Sequence, residues 1–234
     1  MILLLLLLIN IFFANNIFKK KSIINNYFDN VYAIVLEKRK QNVYNVLSSL
    51  NIDYQQIDAL TPENTPIDTL DCIDKTSTLN NGIKYCHASH VATIKKFLKS
   101  GKKNCLILED DIKYNSEYDT LDLKKTLQSI PKDYDIIYLG YCWDKCKKMK
   151  CINKYVWNSY SPNCTHAYGL SRKGAIKLLQ HLKPITNLPI DVVFSKLIEN
   201  KLLISYSLKI PVFNQNREEF GSYLGNNDSL TLCT

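Results

Sequence analysis

Asn104-Cys105-Leu106-Ile107-Leu108-Glu109-Asp110-Asp111 is the stretch on which the reading of this chain turns. Four consecutive apolar residues, Cys105 to Leu108, bounded by polar ones, fit a strand buried on both faces, as in the interior of a parallel sheet. The run stops on three carboxylates, which therefore stand at the strand's C-terminal end, the edge of an open α/β sheet where ligands bind. Adjacent acids repel one another unless a cation or a basic ligand compensates them. Hard oxygen donors suit Mg²⁺ or Mn²⁺, held by one or two carboxylates with substrate phosphates completing the shell. The plainer reading makes Asp110-Asp111 a solvated turn or the cap of a following helix.

Upstream of this strand, Val31 to Leu36 reads as a first strand, with Glu37-Lys38-Arg39 at its end. Val43, Val46, Leu47 and Leu50 then recur at helical spacing, and a second strand runs from Tyr54 to Ala59. Such a β-α-β unit binds nucleotides at its strand ends, which makes Arg39 and Asp58 candidate donor contacts, with ordinary surface charge as the alternative. The polar stretch from Leu60 to Leu79, with Pro62 and Pro66, reads as a flexible excursion. Asn81-Gly82 signals a turn, and a helix is expected from Lys84 to Leu98, ended by Ser100-Gly101. Ser89 and His90, placed near its start, are candidates to approach a phosphate or sugar. His87 reads as a buried, hydrogen-bonded core histidine.

Downstream, Leu121, Leu123, Leu127 and Ile130 mark another helix and Asp135 to Gly140 another strand. The segment from Tyr141 to Pro162 carries clustered cysteines, lysines including Lys145, Lys147, Lys148 and Lys150, and both tryptophans, and reads as a cross-linked hairpin insertion. Cys164 to Leu170 is strand-like, and Ser171 is a suitable N-cap for a helix from Arg172 to Leu182. Ile190-Asp191 opens a helix running toward Asn200. Asp191 there is either a first-turn acid favouring the helix dipole or a general base. A final strand is expected from Leu202 to Leu208, followed by a tail with little pattern.

A chain of 234 residues suits one α/β domain, residues 25–234, with the cysteine-rich insertion at about 141–164. The formal charge of +8 suits an anionic partner such as a nucleotide diphosphate or a membrane surface. Nucleic acid ranks last, because no basic stripe interleaved with aromatics and no zinc-finger spacing is present. The apolar run Ile2 to Ala14, interrupted at Asn10 and followed by Lys19-Lys20-Lys21, reads as a signal peptide or membrane anchor over residues 1–24. It implies a secretory lumen of the endoplasmic reticulum or Golgi type, membrane attachment, or secretion. In an oxidising lumen, Cys142, Cys146, Cys151 and Cys164 would form two disulfides in one of three connectivities, with a zinc site as the lesser alternative. Cys105 reads as a buried thiol.

Taken in order, Leu36-Glu37-Lys38-Arg39, Ile57-Asp58-Ala59, Gly82 with Cys86-His87-Ala88-Ser89-His90, Leu106 to Asp111, Asp135 to Gly140, Ala167-Tyr168 with Ser171 to Ala175, and Leu188-Pro189-Ile190-Asp191 resemble the motifs of glycosyltransferase family 25. That family includes lipooligosaccharide and procollagen galactosyltransferases. The chain departs from its pattern near Asn42, where a second arginine is usual, at Thr61-Pro62, where a glycine is expected, and after Gln215, where no Ser-Asp ending follows.

The resemblance implies a GT-A-like α/β fold and transfer of a hexose, most simply galactose, from a UDP-sugar with inversion. It implies Mn²⁺ or Mg²⁺ at Glu109, Asp110 and Asp111, with Asp110 also able to contact the ribose or donor sugar. Donor or substrate contacts would come from Arg39, Asp58, Ser89, His90, Tyr168 and Arg172. Asp191 is the expected base, with Asp58 and His90 as competitors. Protein hydroxylysine, a lipid-linked glycan and a surface oligosaccharide are all open as acceptors. An inactive binding protein of the same fold and a metal-dependent hydrolase are the alternatives. The acidic triplet argues against the first, and the presence of only four histidines against the second.

Overall fold

Strands β1 (Asn30–Val35), β2 (Gln55–Asp58) and β3 (Asn104–Leu108) pair in parallel, with β1 in the middle. The computed structural model that shows this describes residues 21–221 apart from 71, 75 and 119. Further along the chain lie β4 (Ile112–Tyr114), β5 (Ile136–Gly140), β6 (Lys150–Cys151), β7 (Val156–Asn158), β8 (Ala167–Ser171), β9 (Ser205–Leu208) and β10 (Phe213–Gln215). Eight of these make one sheet in the order β2-β1-β3-β8-β5-β9-β7-β6. β8 runs antiparallel to both β3 and β5, and β9 is parallel to β5. Only β7 and β8 run against the common direction, so the sheet is mostly parallel, as expected.

The alternation of side chains along a strand builds both cores. Leu106 and Leu108 of β3 face one side, with Val31, Ala33 and Val35 of β1. Helices α1 (Ile23–Tyr27), α2 (Lys40–Ser49) and α4 (Thr120–Gln128) cover that side through Ile24, Leu47 and Leu127. Cys105 and Ile107 face the other side. There α3 (Asn81–Lys99), α5 (Arg172–His181) and α6 (Ile190–Glu199) pack through Ile94, Leu178 and Phe194. Cys105 is a fully buried thiol, as read from the sequence.

Local signals explain the boundaries. The Asn80 side chain accepts from the Ile83 amide at 2.9 Å, which starts α3 three residues before the expected Lys84. Ser171 caps α5 as expected, accepting from Gly174 N at 3.0 Å. Among the described residues, Ser22 caps α1 inside the stretch assigned to a leader, and Ile24 and Phe28 belong to the core. The apolar run of the leader lies in residues 1–20, outside the described residues. No described helix is long and apolar enough to cross a membrane.

Two expectations need correction. The segment 60–79 is docked rather than loose. Ile73 bridges Ile185, Thr78 N donates to Asn187 Oδ1 at 2.8 Å, and Ser77 Oγ donates to the Thr186 carbonyl. The tail after Pro211 is ordered as β10, which pairs antiparallel with β4, and is followed by α7 (Arg217–Phe220). The insertion is a hairpin, as expected, with β7 joined to β9 at the sheet edge. Its base is closed by a disulfide between Cys142 and Cys164, with Cα atoms 5.7 Å apart. Cys151 is free and exposed, so the expected second bridge within the group of four does not form. Inside the insertion, the buried Asp144 carboxylate accepts from the amides of Lys145, Tyr160 and Ser161 and so gathers the two ends of the loop.

Candidate functional site

The alternation that builds the cores also splits the acidic triplet. Glu109 follows the parity of Cys105 and Ile107 and turns toward α3, whereas Asp110 follows Leu106 and Leu108 and turns toward α2. One Glu109 oxygen accepts from Thr165 Oγ1 at 2.6 Å and lies 3.1 Å from His90 Nε2. His90 Nδ1 in turn lies 2.9 Å from the Tyr168 hydroxyl. A carboxylate can only accept, so Nε2 carries the proton and Tyr168 donates to Nδ1. Burial would raise the Glu109 carboxyl, but the hydrogen bonds it accepts from His90 and Thr165 hold it below the usual range.

Asp110 is buried, and both of its carboxylate oxygens are hydrogen-bonded. Its carboxylate accepts from Leu36 N at 2.7 Å and Arg39 Nη1 at 2.9 Å, and its carbonyl accepts from Asn42 Nδ2 at 2.8 Å. Asn42 also reaches the Ile112 carbonyl at 3.1 Å. Asp110 thus ties the acidic turn to β1 and α2. Arg39 is the other half of that tie. It is buried, lies under the Phe220 ring at 4.8 Å, and approaches Asp111 at 3.9 Å.

Asp111 is anchored through its backbone, whose carbonyl accepts from Asn216 N at 2.6 Å. Gln215 Nε2 donates to Asp111 Oδ2 at 3.3 Å, and Arg217 turns that amide the right way by donating to its oxygen at 3.1 Å. The other Asp111 oxygen, Oδ1, is buried with no partner. Burial first, then the charges of Glu109 and Asp110, push this carboxyl up to about 7.

Asp191 lies at the first turn of α6, where the Cys164 amide donates to Oδ2 at 3.2 Å and the Val192 amide to Oδ1 at 2.9 Å. Burial raises its carboxyl above the usual range despite these donors. A cavity of about 80 Å³ is lined by Glu109, Asp191, Cys86, Thr165 and Gln215, among others. A larger hollow of about 270 Å³, lined by Glu117, Tyr118, Asp122, Tyr155 and Lys209, lacks the residues of the acidic turn and Asp191. The smaller one is the candidate site, because there ionisable groups from the end of β3 and from α6 face one space.

The remaining candidates divide clearly. His90 and Tyr168 stand directly behind Glu109. Asp58 is exposed at the same sheet edge, two strands from β3 and so roughly 10 Å away, with its carboxylate on Gln56. Ser89 lies well inside α3 rather than at its start, and it is buried. Its hydroxyl donates to the Tyr85 carbonyl and accepts from Leu60 N, which leaves nothing for a sugar. Arg172 is at the wrong edge. β8 runs antiparallel to β3, so Ala167 faces Leu108 beside the acids while Ser171 faces Asn104 at the far end, and Arg172 binds the Leu98 carbonyl there. His87 is buried as expected, but neither ring nitrogen has a hydrogen-bond partner, and burial with the neighbouring His90 lowers it to about 4.

Sequence reasoning missed Thr165, Gln215 and Cys86. Gln215 sits on a three-residue strand too short to show a period. Thr165 is adjacent to the recognised Ala167-Tyr168 pair, and Cys86 precedes His90 by one helical turn, which was a usable signal.

Among solved structures, the chain is similar to apo mouse xyloside xylosyltransferase 1, at 11% identity and a TM-score of 0.42, with 75% of this chain and 70% of that one covered. It is also similar to the inositol-1-phosphate CTP transferase from T. maritima, at 10% identity and a TM-score of 0.43, with 78% and 85% covered. Likeness this distant says nothing about donor or acceptor. No curated protein matches the chain in a sequence search. The model of glycosyltransferase family 25, described as an LPS biosynthesis protein family, matches residues 28–194, a span that runs from the entry to β1 into α6 and includes the acidic turn and Asp191. The chain belongs to glycosyltransferase family 25.

Proposed function

We propose that this glycosyltransferase moves a hexose, most simply galactose, from a UDP-sugar to a hydroxyl of a glycan or protein acceptor, with inversion at the anomeric carbon. The observation that carries the proposal is the shared cavity of Glu109 and Asp191, which sets a carboxylate from the acidic turn and an independently anchored carboxylate around one space. Direct displacement needs one base to take the acceptor proton as the new bond forms. Asp191 suits that role, because two backbone amides fix its orientation and burial makes it a better proton acceptor than an exposed aspartate.

The departing nucleoside diphosphate carries charge that must be met at the sheet edge. Glu109 and Asp111 are the residues that would hold a divalent cation, Mn²⁺ or Mg²⁺, whose chemistry is Lewis-acid stabilisation of that leaving group. The donor set fits such an ion, since Asp111 Oδ1 is a buried carboxylate oxygen with no partner. Thr165 and His90 fix the Glu109 carboxylate, and Gln215 fixes that of Asp111. The +8 charge of the chain favours the approach of an anionic donor. Entry into a secretory lumen through the N-terminal apolar run belongs to the same reading.

A donor screen tests it. The protein is incubated with UDP-hexoses, Mn²⁺ and an acceptor panel beside Glu109→Ala and Asp111→Ala variants. Sugar transfer by the parent, abolished by EDTA and lost in both variants, is the expected result. Hydrolysis of the donor without transfer to any acceptor, or variants as active as the parent, would overturn it.

A further inference from the structure

Cys86 and His90 are four residues apart on α3, so both side chains leave the same face of the helix. Glu109 arrives opposite them from the end of β3. One ligand atom from each, the Cys86 sulfur, a His90 ring nitrogen and a Glu109 oxygen, lies within 4.8 Å of the other two. We propose that Cys86, His90 and Glu109 form a three-ligand site for a borderline-soft divalent cation, Zn²⁺ by its donor set, and that an ion there blocks the transfer site.

The donor set is mixed sulfur, nitrogen and oxygen, which selects zinc over magnesium or manganese. Tetrahedral zinc with bonds of about 2.0–2.3 Å sets its ligand atoms about 3.3–3.8 Å apart, so the side chains need move by only about 1 Å. His90 and Glu109 are already at 3.1 Å. Both have the outer partners that hold metal ligands in place, Tyr168 on the far nitrogen of His90 and Thr165 on Glu109. With the His90 proton moved to Nδ1 and donated to the Tyr168 oxygen, Nε2 offers its lone pair. Cys86 and Glu109 line the cavity that also holds Asp191, which gives the ion both an entry path and an open fourth position. The other converging set, Cys142, Cys164 and His166, is closed by its own disulfide. Because Glu109 is common to both sites, zinc here takes it away from a hard cation, and Zn²⁺ inhibits.

The test is Co²⁺ titration of tag-free protein carrying Cys151→Ser, which removes the exposed thiol. A thiolate-to-cobalt charge-transfer band that saturates at one equivalent and is displaced by Zn²⁺ is expected. Cys86→Ser should abolish the band and weaken Zn²⁺ binding by at least about tenfold. Should Cys86→Ser fail to fold, alkylation of the parent decides, since Zn²⁺ should protect Cys86 from iodoacetamide in a peptide map. No band in the parent, a band that survives in Cys86→Ser, or no protection overturns the proposal. None of these readouts requires turnover, so the site stands or falls independently of the donor chemistry.

Discussion

Replacing Arg39 by Met should destabilise the protein in a way that depends on pH. The pair it breaks is buried, with side chains 9% and 8% exposed and 2.9 Å between Arg39 Nη1 and Asp110 Oδ1, so solvent screens it little. Removing one partner of such a pair costs about 3–5 kcal/mol. Asp110 has an escape, because it can take up a proton. At pH 7 that costs about 4 kcal/mol relative to an unfolded carboxylate with its pKa near 4, which caps the loss. The sign follows from linkage. Burial already holds the Asp110 carboxyl above its unfolded value in the parent, and losing Arg39 raises it further, so the variant's native state binds the extra proton at higher pH and the deficit shrinks as pH falls. The expected deficit is about 3–4 kcal/mol at pH 7 and about 1.5 kcal/mol at pH 5. Urea unfolding of parent and variant at both pH values measures it, with Asp110→Asn and the double variant completing a cycle. A loss under about 1 kcal/mol at pH 7, or a deficit that does not shrink on acidification, would refute the reasoning.

His87 and His166 are each 1% exposed and lowered from 6.5 to about 4, by burial in both cases. The protein should therefore lose up to about 3 kcal/mol per histidine as pH falls from 6.5 to 4, and His87→Leu should flatten that acid limb in thermal melts. Asp191→Asn keeps an acceptor for only one of the Cys164 and Val192 amides and removes the proposed base, so kcat should drop by about 10²–10⁴ with the overall fold intact by circular dichroism. In the parent, kcat/KM should rise with pH through the raised Asp191 carboxyl, and a profile flat from about pH 4 upward would exclude that carboxyl as the base. A Cβ at Gly140 would overlap the Phe213 carbonyl and the His166 ring, so Gly140→Ala should cost about 1–3 kcal/mol and slow transfer by shifting β10 with Gln215.

The parallel half of the sheet was legible because Val31 to Leu36 and Cys105 to Leu108 are continuous apolar runs, which only a doubly covered strand tolerates. β4 and β10 were not, since three residues cannot establish a period and their pairing joins positions about a hundred apart in sequence. The acidic turn and Asp191 were read from chemistry and position, and Glu109 and Asp191 do line one cavity, while the divergence of Asp110 from Glu109 is a matter of strand parity that the triplet alone conceals. Arg172 shows the limit most clearly. Its neighbour Tyr168 lies beside the acids, and only the reversed direction of β8 puts Arg172 at the opposite rim. Asn42, standing where the family usually has arginine, turned out to secure the Asp110 and Ile112 carbonyls.

The bond between Cys142 and Cys164 does more than tie off a hairpin. Cys164 sits at φ 69°, a left-handed conformation that is unfavourable for a residue with a Cβ. Its amide steadies Asp191, and its neighbour Thr165 steadies Glu109. Sulfur chemistry thus reaches the reacting groups through one peptide unit. Protein made with these thiols unjoined would loosen the brace on the two carboxylates proposed to act in transfer, so oxidative maturation would bear on activity as well as on the hairpin.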